Sequence, residues 1–497
     1  MIAAEQVLTT PTTLSWGIYP LPWYAAMNQQ IPLKDVTPTP AKGSTSVDLY
    51  ASRATNYTRA FTGLFRNIRM AGGAWLFLLY FGTVWLNWGE RQAIWWDLPG
   101  RKFYIFGATF WPQDFMLLSW LLIICAFGLF FITVYAGRVW CGYTCPQSVW
   151  TWIYMWCEKV TEGDRNQRIK LDKAPMSRQK LLLKSAKHTL WLLIGLVTGL
   201  TFVGYFAPIR ELIPNLLDGS ADGWSYFWIG LFTLGTYGNA GWLREQVCIY
   251  MCPYARFQSV MFDKDTLIVS YDPRRGEHRG PRKKTADYKA EGLGECIDCT
   301  MCVQVCPTGI DIRDGLQFEC IGCAACIDAC DSIMEKMDYP KGLISYTTEH
   351  NLSGQKTHLL RPRLIGYAVA LLLMMGLFAY AVSIRPLVQL DVIKDRLLFR
   401  ENQQGLIENV YTLKIMNKDQ VDHSYAIQVS GIDGLVYGGK REVLAVAGEV
   451  LSIPIELSIE PEKLPSSANN ISFSVQAIDA PTIKNDADSR FIGPSVR

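Results

Sequence analysis

The stretch Cys296-Ile-Asp-Cys299-Thr-Met-Cys302-Val-Gln-Val-Cys306-Pro307 has the spacing C-x2-C-x2-C-x3-C-P, and Cys320-Ile-Gly-Cys323-Ala-Ala-Cys326-Ile-Asp-Ala-Cys330 repeats it. Three thiolates on so tight a loop wrap three irons of a cube, while the fourth cysteine, starting a short helix, reaches the neighbouring cube. The spacing predicts two [4Fe-4S] clusters with exchanged ligands. Cys296, Cys299, Cys302 and Cys330 surround one; Cys306, Cys320, Cys323 and Cys326 surround the other. Gly322, Ala324 and Ala325 are small enough to let backbone N–H groups approach cluster sulfurs. The second run departs from the first in having Asp331 where proline stood. A pair of S4 zinc sites is the alternative, but zinc usually draws two C-x-x-C units across a longer insertion. Adjacent clusters make the segment an electron relay, with no substrate pocket legible in it.

Eight of the 14 cysteines lie in this run, and none follows Cys330. A disulfide scaffold spreads its cysteines over a small secreted domain, so thiolates serving metals in a reducing compartment are the better reading. The 497 residues correspond to about three domains. With 48 Lys and Arg against 45 Asp and Glu, the net charge of +3 gives no basis for nucleic-acid binding.

A helix crossing a ~30 Å hydrocarbon core needs about 20 largely apolar residues. Five segments qualify: Met70 to Trp88, Asp114 to Ala136, Ala186 to Ala207, Trp224 to Leu243 and Leu364 to Ile384. Gly230, Gly235, Gly238 and Asn239 dilute the fourth, for which a re-entrant or buried helix is the alternative, although glycine is common where membrane helices pack closely. Residues 1–69 lack the pattern of a signal peptide and read as a retained, loosely ordered segment ending in the basic set Arg53, Arg59, Arg66 and Arg69. Lys and Arg crowd residues 137–185 and are sparse in 89–113 and 208–223. The positive-inside rule then puts the N-terminus, the 137–185 loop and residues 244–363 in the cytoplasm, with the C-terminal domain outside, in a multi-pass protein. Every cysteine except the mid-helix Cys125 comes out on or near the cytoplasmic face, where thiols stay reduced.

Two further pairs share one form: Cys141-Gly-Tyr-Thr-Cys145-Pro146 after the second span and Cys248-Ile-Tyr-Met-Cys252-Pro253 after the fourth. Each follows a basic residue, Arg138 or Arg244, and leads into an aromatic amphipathic stretch, so span, C-x3-C-P and interfacial helix form an internal repeat. An i, i+4 spacing places both sulfurs on one side of a helical turn, and the proline suits a helix start or break. Four thiolates converging at the membrane edge would select Cu(I), zinc or a third cubane; unconnected interfacial cysteines are the bland alternative. Met251 and Met261 are candidate thioether ligands, more often packing residues. Cys125 and Cys157 have no patterned partner.

Beyond Val388 the period changes. Tyr411, Leu413 and Ile415, then Tyr425, Ile427 and Val429, then Leu451 to Ile459, then Ile471, Phe473, Val475 and Ala477 alternate with polar residues between turn signals. This half-buried antiparallel pattern predicts a small immunoglobulin-like β-sandwich, read as a docking or spacer domain. Arg274, Arg275, Arg279, Arg282, Lys283 and Lys284 form a basic strip that reads either as contact with anionic lipid headgroups or as a solvated linker. His188, His278, His350, His358 and His423 are the only histidines; a transmembrane haem needs axial histidines within spans, and only His188 and His358 lie even near span ends, where each reads as a satisfied interfacial side chain. No dinucleotide fingerprint or Walker loop occurs, which leaves flavin open.

The expected fold class is thus an integral membrane α-helical bundle of about five helices with a cytoplasmic 2[4Fe-4S] ferredoxin-like domain and a C-terminal all-β immunoglobulin-like domain. Its units are an N-terminal segment 1–69, a membrane domain 70–262, a basic linker 263–290, the ferredoxin-like domain 291–345, a linker 346–363, the last span 364–384, and the sandwich 388–497.

This order of spans, two CxxxCP motifs, a dicluster run, a last span and a β-rich tail resembles the cytochrome c oxidase accessory protein family of membrane-bound polyferredoxins (CcoG, FixG, RdxA) over essentially the whole chain. Tyr271-Asp-Pro-Arg-Arg-Gly-Glu-His-Arg-Gly280 also looks like that family's signature. Either cysteine set alone would also fit the polyferredoxins of nitrate and nitrous-oxide respiration. The resemblance implies a cupric reductase of the bacterial inner membrane with its C-terminal domain in the periplasm, an iron–sulfur metalloreductase with copper ion as substrate, serving cbb3-type oxidase assembly. Copper chaperones, oxidase assembly factors, an unidentified electron donor and membrane lipids are then the expected partners, without nucleic acid; a homodimer is compatible with the chain. Cys141, Cys145, Cys248 and Cys252 become the candidate copper-handling thiolates. The competing readings are an electron-transfer subunit of a quinol-linked respiratory complex and a non-enzymatic assembly scaffold or redox sensor.

Overall fold

The structure is a computed structural model that describes residues 56–494. Most of the N-terminal segment expected over 1–69, with Arg53, lies outside the described residues.

Among the described residues four helices are long and apolar enough to cross a membrane: Leu64–Trp85, Pro112–Ala136, Arg178–Gly204 and Pro362–Ser383. The first contains α1 (Leu64–Gly82) and the second α2 (Phe115–Ala136). A short helix α3 (Val139–Tyr143), then α4 (Pro146–Glu162) and α5 (Arg165–Lys173), lead to α6 (Arg178–Gly204), the third. After α7 (Ile209–Leu217), the segment expected as a fourth crossing forms the 14-residue α8 (Gly223–Thr236), and the backbone then widens into a π-helix over Tyr237–Leu243. The expected span is therefore present only as this composite element. Glycine explains the change. Gly238 and Gly241 hold an α-helix weakly, and a Cβ at Gly241 would lie 2.9 Å from the Trp191 ring. The same logic packs α6 on α8: a Cβ at Gly195 would meet Thr233 O at 2.9 Å and one at Gly199 would meet Ile229 O at 2.7 Å, the close backbone approach that small-xxx-small spacing permits in membranes.

A second π-helix (Val247–Met251) precedes α9 (Pro253–Met261). The dicluster region follows. β1 (Ile268–Tyr271) pairs antiparallel with β2 (Ile344–Thr347) and brackets the two cysteine runs, so the stretch expected as a basic linker begins with a strand of the cluster-bearing unit. Its charges are also spent internally: Arg275 pairs with Glu295, Arg279 with Glu277 at 3.0 Å and Lys284 with Asp338, while Arg282 donates to Gly294 O at 2.6 Å. Arg275 and Arg282 thereby hold the approach to Cys296.

The last apolar helix, α10 (Pro362–Ser383), runs alongside α2, with Phe127 and Tyr367 in ring contact at 6.5 Å. Both ends of this pair are plugged. At one end Thr266 Oγ1 donates to Val134 O at 3.0 Å, Leu267 N to Tyr135 O at 3.1 Å and Gln258 to Gly137 O at 3.1 Å, satisfying carbonyls that a helix end leaves orphaned. At the other end the Asp114 carboxylate takes Arg385 at 2.7 Å and Lys418 at 3.1 Å, with the Lys418 side chain only 2% exposed. Lys418 belongs to the β-sandwich. Residues 388–492 form two antiparallel sheets whose inward face is Tyr411, Leu413, Ile415, Tyr425, Ile427, Leu457, Phe473 and Val475, the alternation read from sequence. As α2 is 22 residues long, ~33 Å separates its two ends, and the cluster-bearing unit and the sandwich sit at opposite ones.

Asp328 fixes the first helix to the cluster-bearing unit. Its carboxylate accepts from Phe65 N at 3.1 Å and Arg66 N at 2.7 Å, capping α1 from another element. Gly63 is required beside it, since a Cβ there would stand 2.2 Å from Asp328 Cγ. Replacing Asp328 by Ala leaves two helix-end donors without their acceptor and is expected to cost about 1–3 kcal/mol. The loss is read as a lower denaturant midpoint for release of cluster iron from the full-length protein.

Candidate functional site

The two cysteine runs fold with matching backbones. Asp298 and Thr300 in the first, and Gly322 and Ala324 in the second, take left-handed φ values of 52°, 54°, 64° and 58°. Such alternation turns successive N–H groups into a concavity that favours anions, and it is strained for the three non-glycine residues. Two separate cavities result. Cys296, Cys299, Cys302 and Cys330 line one, with Tyr271, Met334, Leu343 and Ile344 as an apolar shell. Cys306, Cys320, Cys323 and Cys326 line the other, with Val269, Ile310, Ile312 and Ile321, and Cys302 lies on the wall between. Burial pushes the Cys302 and Cys320 thiols up to about 12 and raises Cys306, Cys326 and Cys330 as well. Buried thiols of this kind become thiolates when a metal replaces the proton, so donor set, concavities and apolar shells fit two iron–sulfur clusters.

The CxxxCP pairs are built differently from a single helical turn, which corrects that expectation. Cys141 lies in α3 and Cys248 in the second π-helix, whereas Cys145 and Cys252 are the extended residues just before Pro146 and Pro253 open the next helix. Proline at a helix's first position needs no N–H partner, so each motif is a break between two helices with a thiol on either side. The repeats do meet. Cys141 lies within electrostatic reach of Cys145, Cys248 and Cys252, and Cys248 within reach of Cys145 and Cys252. Burial, then the neighbouring thiols, push Cys141 up to about 12 and Cys248 up to about 11, while Arg138 pulls both back. Met251 is 61% exposed, turned to the surface. Cys157 is fully buried in the helical core and Cys125 is exposed on α2.

Several residues that spacing does not single out join these pieces. Gly142 is the contact point between the first CxxxCP and the second cysteine run: a Cβ there would stand 2.8 Å from Cys323 Cα and 2.9 Å from Gly322 O. Cys141 itself packs against the group containing Cys323, Ile321 and Ala325. Its Sγ lies 3.5 Å from the Oε1 of fully buried Gln258. Tyr346 Oη donates to Gly322 O at 2.6 Å and meets Tyr143 Oη at 3.1 Å. Arg69, read from sequence as juxtamembrane, is buried beside Cys323 and lies 3.9 Å over the Trp152 ring. The strap before α1 also belongs to this shell, since Asn56 Nδ2 donates to Cys306 O at 3.1 Å and Pro307 O at 2.8 Å. A cleft of about 340 Å³ lined by Arg59, Arg66, Arg69 and Lys159 shares Pro307 and Ala325 with the second cysteine cavity, so solvent reaches to one residue from it. The one signal in the sequence was Gly142 itself, a glycine between two paired cysteines.

The family model described as a 4Fe-4S dicluster domain matches residues 243–349, and one described as an IG-like fold at the C-terminal of FixG matches 378–494. The chain is 35% identical over 466 residues to the nitrogen fixation protein FixG of Rhizobium meliloti, covering 84% of this chain and 86% of that one. It belongs to the FixG/RdxA family. Protein RdxA of Cereibacter sphaeroides is 39% identical over 405 residues, 78% of this chain and 85% of its own. A crystal structure of a FixG-related protein from Vibrio parahaemolyticus, 32% identical, covers 22% of this chain and 97% of its own length at a TM-score of 0.21. This FixG/RdxA member is accordingly a membrane iron–sulfur protein of the electron-transfer kind.

Only the thiolate reacts with alkylating agents. With thiol values near 12 and 11, Cys141 and Cys248 are mostly protonated at neutral pH. Their alkylation in metal-free protein is expected to be slow there and to rise close to tenfold per pH unit up to about pH 11, checked by peptide mass spectrometry.

Proposed function

We propose that this protein is a membrane-anchored iron–sulfur reductase that converts Cu(II) to Cu(I) at Cys141, Cys145, Cys248 and Cys252, in support of cbb3-type cytochrome oxidase assembly. The observation that carries this reading is the contact of the Cys141-Gly142 turn with the Cys323 backbone, which leaves no residue between the thiol pair and the second cysteine cavity. We assign Cys296, Cys299, Cys302 and Cys330 to the first cluster, and Cys306, Cys320, Cys323 and Cys326 to the second. When bound, the clusters supply one-electron storage and transfer.

The residues of the chain do the rest. Thiolates are soft ligands that favour Cu(I) over Cu(II), so the four cysteines bias bound copper toward the reduced ion. Arg138, buried and donating to Cys320 O at 3.4 Å, lowers the cost of thiolate charge in both cysteine sets. Gln258 and Tyr346 hold the joint between them in one geometry. Each Cu(II) takes up one electron, and a donor outside the chain restores it.

The topology in this reading has five crossings, α8 with its π-helical extension serving as the fourth against the glycine face of α6. The lysine and arginine bias sets the cluster end in the cytoplasm and the sandwich in the periplasm. Copper chaperones and oxidase assembly factors are the partners it implies.

The test uses anaerobically purified protein with reduced clusters and limiting Cu(II), following the reduced-cluster EPR signal alongside Cu(I) captured by a chelator. Wild type is expected to yield one Cu(I) per electron lost. A variant with Cys141, Cys145, Cys248 and Cys252 all changed to Ser, its clusters intact, is expected to be slower by at least ~10-fold, the scale of a lost metal-site interaction. Equal rates would leave an electron-transfer subunit that copper merely oxidises.

A further inference from the structure

Away from the cysteines, three metal-ligating side chains converge where the last membrane helix leaves the cluster-bearing unit. Asp265 Oδ1 lies 2.7 Å from His350 Nδ1 and 3.8 Å from His358 Nδ1. One donor atom from each residue lies within 4.8 Å of the other two. The imidazoles stand at 87° with centroids 6.0 Å apart, so both turn the same nitrogen toward one carboxylate oxygen.

Hydrogen bonds that need no ion hold each donor in place. The Asp265 turn is closed by Asp263 N to Thr266 Oγ1 at 3.0 Å and is tied to α2 through Thr266 Oγ1 to Val134 O. His350 N donates to Lys264 O at 3.1 Å, which fixes the first imidazole to the same turn. The hairpin that brings His358 back is closed by Gln355 N to His350 O at 2.8 Å and by the Thr348 and Thr357 hydroxyls at 2.7 Å. His358 N then donates to Asp265 Oδ1 at 3.0 Å. Preorganisation of this sort is what a metal site requires of its surroundings. Access is one-sided: the Asp265 side chain is 13% exposed and the His358 side chain 70%, so an ion arrives from solvent past His358.

Two imidazole nitrogens and one carboxylate oxygen suit a borderline divalent ion, and Cu(II) heads the affinity order for such sets. The thiols prefer the reduced ion. The protein thus carries donors matched to each oxidation state of one metal, and they are close in the fold. Asp265 follows α9, which starts directly after Cys252, and nine helical residues span ~14 Å. Leu267, two residues on, bonds Tyr135 O, and its carbonyl lies 2.8 Å from where a Cβ on Gly137 would stand, four residues before Cys141.

We propose that Asp265, His350 and His358 form a solvent-facing Cu(II) site that loads the CxxxCP thiols. The destination rests on the copper-reducing reading above; the binding of Cu(II) does not. Transfer to the thiols is release of the ion from this site and rebinding at the thiols without change of oxidation state, and reduction follows there, one electron from the reduced relay per ion.

The experiment titrates Cu(II) into full-length protein with oxidised clusters and Cys141, Cys145, Cys248 and Cys252 changed to Ser, so that thiols neither bind nor reduce it, and reads the Cu(II) EPR spectrum. One equivalent with hyperfine structure from two nitrogens is expected. His350→Ala with His358→Ala should abolish that species. Asp265→Asn, which keeps the shape and an acceptor oxygen, should weaken it at least ~10-fold. Cluster absorbance unchanged from the parent certifies the fold of each variant. The same spectrum in all variants, or a site that takes Zn(II) and not Cu(II), overturns the proposal. If the two-nitrogen species forms but Cu(II) leaves reduced clusters untouched in protein with all its cysteines, the binding site stands and the copper-reducing reading falls.

Discussion

The arrangement of the redox region depends on one buried guanidinium. Arg138 donates to Phe318 O at 2.6 Å, Cys320 O at 3.4 Å and Ala255 O at 2.6 Å, and is itself 7% exposed. Those carbonyls belong to the approach to the second cysteine run, to the run itself and to the helix after the second CxxxCP. A buried cation without partners would be prohibitive, and one that donates to three carbonyls is not. The same charge is felt by Cys141, Cys248 and Cys320, so the side chain that joins the three segments also eases their deprotonation. Lysine could supply the charge but not the planar fork that reaches three acceptors.

Around this joint, the helix pair α2 and α10 separates the molecule into two ends. Arg361, beside α10, pairs with Asp263 at 2.6 Å at the cluster end, while Arg385, just past its other terminus, pairs with Asp114 at the sandwich end. The ion pairs are poorly exposed and sit where helix ends leave polar groups unsatisfied, so they set the helices' register where apolar contacts along the pair do not. A second buried network does the same between α4 and the second half of the membrane domain, with Glu158 accepting from Arg168 at 2.5 Å and from Arg244. Both arginines that precede the CxxxCP motifs are thus consumed in tying halves together.

Much of this was legible in the sequence where one physical rule dominates. Cysteine spacing gave the two cavities because ligand geometry allows few alternatives, and period-two alternation gave the sandwich because each strand has one wet face. What stayed hidden depends on partners distant in the chain. Arg69 reads as one of a juxtamembrane basic set until Trp152 and Cys323 are seen beside it, and the partners of the basic strip are hidden until Glu295 and Glu277 appear. The glycines of the fourth apolar segment signal weakness of an α-helix but not its outcome, since only the Trp191 ring shows why the backbone widens there. The short strands between Asn87 and Phe110 carry no clear alternation and were not expected at all.

The strap that covers the second cavity has a consequence for how the protein is made. Asn56 and the Cys306 carbonyl it holds are 250 residues apart, and nearly all of the membrane helices are translated between them. The strap leaves the ribosome long before the carbonyls it will hold. The joint between this strap and the second cysteine set is therefore a late contact, and it forms only on a chain synthesised through Cys306.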